Sequence, residues 1–242
     1  MTSFFHTIIS IPFYNGFILL INSLPFFDAG IIIIIFTIII KLIMLPLSIK
    51  ASKAQLQMKS TEKDLQLIKE KYKDNKEEQG RKTIEYYKEH GINPFASFFI
   101  LIIQLPILIG LYLVFLKSGL PQINTAMLYP FIGVPTAVNM VFLGLVNISE
   151  KSILLAIIAG ITTYFQISLA NATLAPASEG STQNDIAKAM QVQMKYFFPI
   201  LMAFVAYTVS SAIALYLITS NIFAIGQEIY IKRKYHKSAM VV

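Results

Sequence analysis

The most apolar stretch of this chain carries a lysine at its centre. Gly30 to Lys50 reads GIIIIIFTIIIKLIMLPLSIK, and Lys41 is its only charge before Lys50. On a helix Lys41 lies ~16 Å from Gly30 and ~13 Å from Lys50, at ~1.5 Å rise per residue. That is near the middle of a hydrocarbon layer ~30 Å thick. An ionisable group at such depth is costly and marks a functional site. The acidic residues are Asp28, eight between Glu62 and Glu89, Glu150, Glu179, Asp185 and Glu228. None falls mid-way along an apolar run, so no intramembrane ion pair within the chain is expected. Three states are open to the ammonium. Snorkelling toward Lys50 leaves it short, because the side chain reaches ~6 Å of the ~13 Å required. Desolvation can leave it neutral. Or it faces a water-filled cavity between helices. Polar residues in the apolar runs support the cavity: Thr37, four residues earlier on the same face, with Gln104, Gln166, Ser210, Ser211, Thr219 and Asn221. Each alone serves equally well as a helix–helix hydrogen bond. A positive, wet pocket suits a transient anionic or polar guest. It does not suit a proton relay, which needs Asp, Glu or His in series, and nothing resembles an ion filter.

Other chemistries are poorly supplied. Cysteine is absent, and the three histidines, His6, His90 and His236, lie far apart. No thiol chemistry, metal site or cofactor is expected, and the chain does not read as an enzyme.

The elements that position Lys41 are membrane spans. Of the 242 residues 55% are hydrophobic and 14% charged, with mean hydropathy +0.63; soluble domains are about a quarter charged. The fold class expected is all-α, a polytopic membrane protein of about five spans. Residues 1–28, broken by Pro12, Asn15–Gly16 and Pro25, read as an interfacial helix with Phe4, Phe5, Phe13, Tyr14, Phe17, Phe26 and Phe27 as aromatic anchors. The first span is 29–49, with a kink at Pro46. Residues 50–92 form the one long polar stretch. There Ala51, Ala54, Met58, Thr61, Leu65, Ile68 and Tyr72 alternate steps of three and four, Lys73 to Lys76 supply turn chemistry, and Gly80, Ile84, Tyr87 and Gly91 follow at similar spacing: a helical hairpin. Further spans are placed at 93–116, 127–146 and 153–171, a loop at 172–194, a fifth span at 195–226 and a basic tail at 227–242.

Charge sets the expected topology. Eleven of the 20 basic residues lie between Lys50 and Lys88, and four more are Lys232, Arg233, Lys234 and Lys237. With the tight turn at Lys151 placed on the hairpin side, only Lys117, Lys188 and Lys195 remain opposite. The positive-inside rule then puts the N-terminus out and the C-terminus in. The first 40 residues hold no Lys or Arg, whereas a secretory signal opens on a positive stretch, so no cleaved leader is expected. No internal repeat is evident, against an inverted-repeat transporter.

Several fragments, weak singly, fall in an order that resembles the YidC/Oxa/Alb membrane protein insertase family over nearly the whole chain. They are Tyr14-Asn15-Gly16; Lys41 to Lys50; Lys71 to Asp74; Asn93-Pro94 with Gln104 to Ile107; Met190 to Met194 with Tyr196 to Pro199; and Leu215-Tyr216 with Ser220-Asn221. The resemblance implies five spans around a hydrophilic groove open to the cytoplasm and to lipid. A client's polar tail would be drawn in by the groove cation, Lys41, among Thr37, Gln104, Gln166, Ser211 and Asn221. It also implies a cytoplasmic hairpin that receives clients, here through Lys59, Lys63, Tyr72 and Lys73. The implied partners are nascent membrane proteins, the ribosome, the Sec secretion channel and membrane lipids, with no sequence-specific nucleic acid. The protein is expected to act as a monomer in a bacterial plasma membrane. Three departures stand out: lysine replaces the family's usual arginine, Leu217 stands where an aromatic is usual, and the large outer domain of many members is absent, as in a short form. Outside the resemblance, the competing readings are a small transporter or lipid-handling protein with a cationic pocket, and a scaffold for other membrane subunits.

Overall fold

The computed structural model describes residues 6–92, 107, 109–110, 112–113, 122–171 and 182–235. After a short π-helical turn at His6–Ser10 come α1 (Ile11–Ser23), α2 (Ala29–Ser60), α3 (Glu62–Lys71) and α4 (Lys76–Glu89). A 3-10 turn at Thr125–Met127 and a minimal hairpin, β1 (Val141–Phe142) with β2 (Val146–Asn147), lead to α5 (Ile153–Asn171), α6 (Thr182–Val209) and α7 (Ser211–Tyr235). By length and composition Ala29–Ala54, Ile153–Ala170 and Ser211–Lys234 can each cross a membrane.

The first span runs on through Pro46 and past Lys50 as one helix to Ser60. Thr61 breaks it, and α3 and α4 then fold back as a polar hairpin around the turn at Tyr72–Asn75. Asn75 caps α4 by accepting from the Glu78 N–H at 3.1 Å. The Tyr86 hydroxyl donates to Asp64 Oδ2 at 2.6 Å, and Gln79 Nε2 donates to the Lys69 carbonyl at 2.8 Å. These two bonds hold the hairpin arms together.

Contacts between the long helices fix their directions. Glu150 meets Ser211, Thr162 and Thr163 meet Asn221, and Leu169 meets Lys232, so α5 and α7 run parallel. Ser48 meets Gln227 and Ser52 meets Glu228, so α2 is parallel to both. Lys151 lies over Tyr207 and Tyr164 beside Tyr196, so α6 is antiparallel to α5. One end of the bundle carries the helical hairpin and the end of α7. The opposite, distal end carries α1, the β-hairpin and the starts of α2, α5 and α7.

Five expectations are corrected here. Residues 127–146 are no helical span: Pro130, Gly133 and Pro135 break the chain, and it ends in the β-hairpin, so the fold carries a small β element. The span expected at 195–226 is two helices, divided at Ser210; the second starts at Ser211, whose N–H donates to the Glu150 carbonyl at 2.7 Å. Residues 182–194, expected in a loop, are helical. With 127–146 no helix, Lys151 lies at the distal end and the start of α6 at the hairpin end, the reverse of the assignment from charge. In α1, Tyr14 and Phe17 are fully buried core residues and not lipid anchors.

Among the described residues, the main buried apolar cluster lies in the distal half. Tyr14, Phe17, Ile18 and Ile21 of α1, Ile32, Ile33 and Phe36 of α2 and Ala212 to Leu217 of α7 share one buried apolar cluster. Small residues let the helices approach; a Cβ on Gly160 would sit 2.9 Å from Ala203 Cβ of α6.

Candidate functional site

Lys41 stands where the burial stops. On α2, Ile32, Ile33, Phe36 and Thr37 are buried, and no residue from 38 to 50 is. On α7 residues 211–217, Ser220 and Asn221 are buried, and the next buried residue is Glu228. The pairs Ser48–Gln227 and Ser52–Glu228 set a register that brings residues 217–220 of α7 level with Lys41. Lys41 is half-buried at this boundary. Toward the hairpin end a cleft of about 360 Å³ opens between α2 and α7, walled by Leu45, Ile49, Ile222, Phe223, Gly226, Gln227 and Tyr230. Lys41 is one turn from Leu45 at its edge.

The other expected site residues divide. Thr37 shares the helix face of Lys41 but is buried, its hydroxyl donating to the Ile33 carbonyl at 2.7 Å. Asn221 lies near the level of Lys41 and ties α7 to α5: its Nδ2 donates to Thr163 Oγ1 at 2.8 Å and to Thr162 Oγ1 at 3.2 Å. Both threonine hydroxyls in turn donate to the Ala159 carbonyl. Gln166 is half-buried about one turn further along α5. Ser211 is not with them. It is buried at the distal end, ~14 Å from residue 220 along the helix axis, where its Oγ donates to the Glu150 carbonyl at 2.7 Å. Gln104 lies outside the described residues.

On the helical hairpin, Lys63 and Lys73 are exposed, Tyr72 is half-buried at the end of α3, and the side chain of Lys59 lies outside the described residues. Burial, and then the bond to Asp64, push the Tyr86 phenol up to about 12.

A polar seam at the hairpin end escaped the sequence reading. Gln227 Nε2 donates to Ser48 Oγ at 2.5 Å, and Ser52 hydrogen-bonds the buried Glu228. Lys232 Nζ lies 3.9 Å from Glu228 Oε1 and donates to the Leu169 carbonyl at 2.7 Å. The signal was present: Glu228 and Lys232 are four apart, as are Ser48 and Ser52. Lys195 was also misplaced. It is half-buried in α6, with Nζ 5.9 Å from the Tyr164 ring centroid and 5.5 Å from that of Tyr196. Among the described residues no cluster of His, Asp or Glu could hold a metal ion.

Long apolar helices around a packed distal half fit an α-helical integral membrane protein. The chain belongs to the 60Kd inner membrane protein family, whose model matches residues 21–238. It is 32% identical over 220 residues to the membrane protein insertase YidC of Clostridium tetani, covering 90% of this chain and 88% of the relative. The protein of the same name from Fusobacterium nucleatum is 32% identical over 205 residues, covering 85% and 86% respectively. The Oleidesulfovibrio alaskensis insertase YidC is 30% identical over 220 residues, which cover 89% of this chain and 38% of that longer relative.

Proposed function

We propose that this protein inserts and helps to fold integral membrane proteins, with Lys41 attracting the polar or acidic tail of a client into a hydrated groove open at the hairpin end. The observation that carries the reading is the end of burial at Thr37 on α2 and at Asn221 on α7, with Lys41 beside it. A groove closed distally and open on the hairpin side shortens the apolar distance a polar tail must cross, replacing lipid by water and protein dipoles. Asn221, Thr162, Thr163 and Gln166 supply dipoles at that level. Five crossings are assigned to α2, residues 93–116, α5, α6 and α7. The hairpin end is cytoplasmic, since the clustered lysines of residues 50–88 and the tail lie there; the N-terminus is then out and the C-terminus in. The hairpin, through Lys59, Lys63, Tyr72 and Lys73, meets incoming clients. Its lysines and the tail meet ribosomal RNA or anionic lipid, and the protein works as a monomer, alone or beside the Sec channel. No step is enzymatic.

The test is complementation of an insertase-depleted bacterial strain, scored on a client with an acidic translocated tail. Lys41→Arg is expected to support growth and insertion, whereas Lys41→Leu and Lys41→Glu lower insertion of that client severalfold at normal protein abundance. Full rescue by Lys41→Leu overturns the role given to the charge.

A further inference from the structure

The distal cap presents an apolar surface that the groove does not use. Leu143 and Leu145 at the tip of the β-hairpin are 61% and 84% exposed, and Phe131 and Phe26 beside it are 77% and 97% exposed. Three bonds place these residues in one layer. The Ala29 N–H donates to the Asn139 carbonyl, the Leu143 N–H donates to Asp28 Oδ2 at 3.1 Å, and Asn22 Nδ2 donates to the Gly133 carbonyl at 2.6 Å.

The presentation is built. Phe142 turns inward onto Gly30, filling the space a Cβ there would need. The turn that follows puts Leu143 at φ 51° and Gly144 at φ 72°. Leucine is disfavoured in that left-handed region. The buried Asp28 carboxylate holds it there, with its other oxygen accepting from the Ile31 N–H at the start of α2. A strained leucine held with its side chain exposed is unexpected on a water-facing turn, where glycine or asparagine serves better.

The chemistry of the whole layer points the same way. Residues 122–149 contain no Asp, Glu, Lys, Arg or His, and residues 7–27 contain none either. Water-facing surface is normally about a quarter charged. The layer is also continuous with the lipid-facing flanks of the bundle, where Leu19, Ile38, Ile39, Ile153 and Leu154 are exposed.

We infer that the β-hairpin tip and Phe131 are a membrane anchor, seated with Phe26 in the headgroup–acyl boundary of the leaflet at the distal end. The boundary, and not the hydrocarbon interior, is the level that fits. Two two-residue strands leave free backbone edges that need water or headgroups, while Leu143, Leu145 and the two phenylalanines reach the acyl chains. The cap thereby fixes the depth at which the bundle sits, independently of what Lys41 does.

The chain has no tryptophan, so single-tryptophan variants report without background. Full-length Phe131→Trp and Leu145→Trp proteins, and Ile84→Trp on the helical hairpin as a water-exposed control, are placed in phosphatidylglycerol-containing nanodiscs. One set of discs carries acyl chains brominated close to the headgroup. The expected result is at least a twofold loss of emission with brominated lipid at positions 131 and 145. Quenching by aqueous iodide there should be severalfold weaker than at position 84. Iodide quenching equal to the control at both positions overturns the anchor. So does protection from bromine and iodide alike, which would mean a protein covers the surface. Because the two substitutions sit on separate segments and replace exposed side chains, loss of folding in one leaves the other as the test.

Discussion

Replacing Asn15 tests how the distal end is closed. Its side chain is 1% exposed and joins α1 to the loop before the β-hairpin through both ends of its amide. Nδ2 donates to the Met127 carbonyl at 2.7 Å and to the Ile11 carbonyl at 2.9 Å, while Oδ1 accepts from the Tyr129 N–H at 2.6 Å. In Asn15→Ala the Met127 carbonyl and the Tyr129 N–H each lose this partner in a buried setting. An orphaned buried polar group costs about 1–3 kcal/mol. Two of them, partly relieved by water, make a cost of about 2–4 kcal/mol. At ~1.4 kcal/mol per tenfold, the opening equilibrium of this loop rises roughly 30- to 700-fold. Asn15→Asp keeps the acceptor but loses the donor and sets a carboxylate against the Met127 carbonyl, so it should cost at least as much.

Amide hydrogen exchange in nanodiscs reads the effect directly at Tyr129. Asn22→Ala is the internal control. Asn22 donates one exposed bond to the Gly133 carbonyl in the same loop, so its loss should cost no more than about 1 kcal/mol. Exchange protection at Tyr129 within about threefold of wild type in Asn15→Ala would refute the account of the cap. An equal effect of Asn22→Ala would refute it too, by showing that any bond to this loop suffices.

Two further outcomes follow from the packing. Gly160→Leu should lower the thermal midpoint in detergent, because even a Cβ meets Ala203 Cβ at 2.9 Å and the Pro199 carbonyl oxygen at 3.3 Å; overpacking of this kind costs about 1–3 kcal/mol. Gly226→Leu, with nothing within 4 Å of its Cβ, should leave the midpoint unchanged, and equal shifts would count against the contact. For the hairpin, the phenol of Tyr86 is raised from 10.0 to about 12. A group whose pKa is raised on folding contributes its stabilisation below the unfolded value and loses it as pH rises through the folded one. Cohesion of α3 and α4 should therefore weaken between pH 10 and about 12. Tyr86→Phe should remove that pH step from a helicity titration; persistence of the step assigns it elsewhere.

What the sequence made legible was mostly chemistry, and what it hid was mostly geometry. Lys41 in a run of isoleucines, Asn221 in a span and the turn at Lys73–Lys76 could be read because each is a local exception to its surroundings. The span placed at 127–146 failed because its apolar residues outweighed Pro130, Gly133 and Pro135. Those residues belong to a cap in which Ile132 is buried and Phe142 turns onto Gly30, while Phe131, Leu143 and Leu145 are exposed. Nothing local reveals that Asn15 will hold that cap from over a hundred residues away. The division at Ser210 has no proline or glycine to announce it. Its signal was length, since residues 195–226 make a helix of ~48 Å where ~30 Å suffices to cross.

The false crossing at 127–146 reversed the sides given to Lys151 and Lys188, and its removal leaves the charge asymmetry between the two ends intact. With 127–146 in the distal cap, Lys151 lies at the distal end and Lys188, near the start of α6, toward the hairpin end. Lys195 is half-buried on α6, with its ammonium over the rings of Tyr164 and Tyr196. The seam of Ser48, Ser52, Gln227, Glu228 and Lys232 then falls at the mouth of the open half and not at its floor. Two polar layers thus bracket the cleft between α2 and α7: Thr37 and Asn221 where burial ends, and the seam where the hairpin begins. In the proposed function, Lys41 stands at the inner layer, where a charge is costly to hold and can act on an entering polar chain.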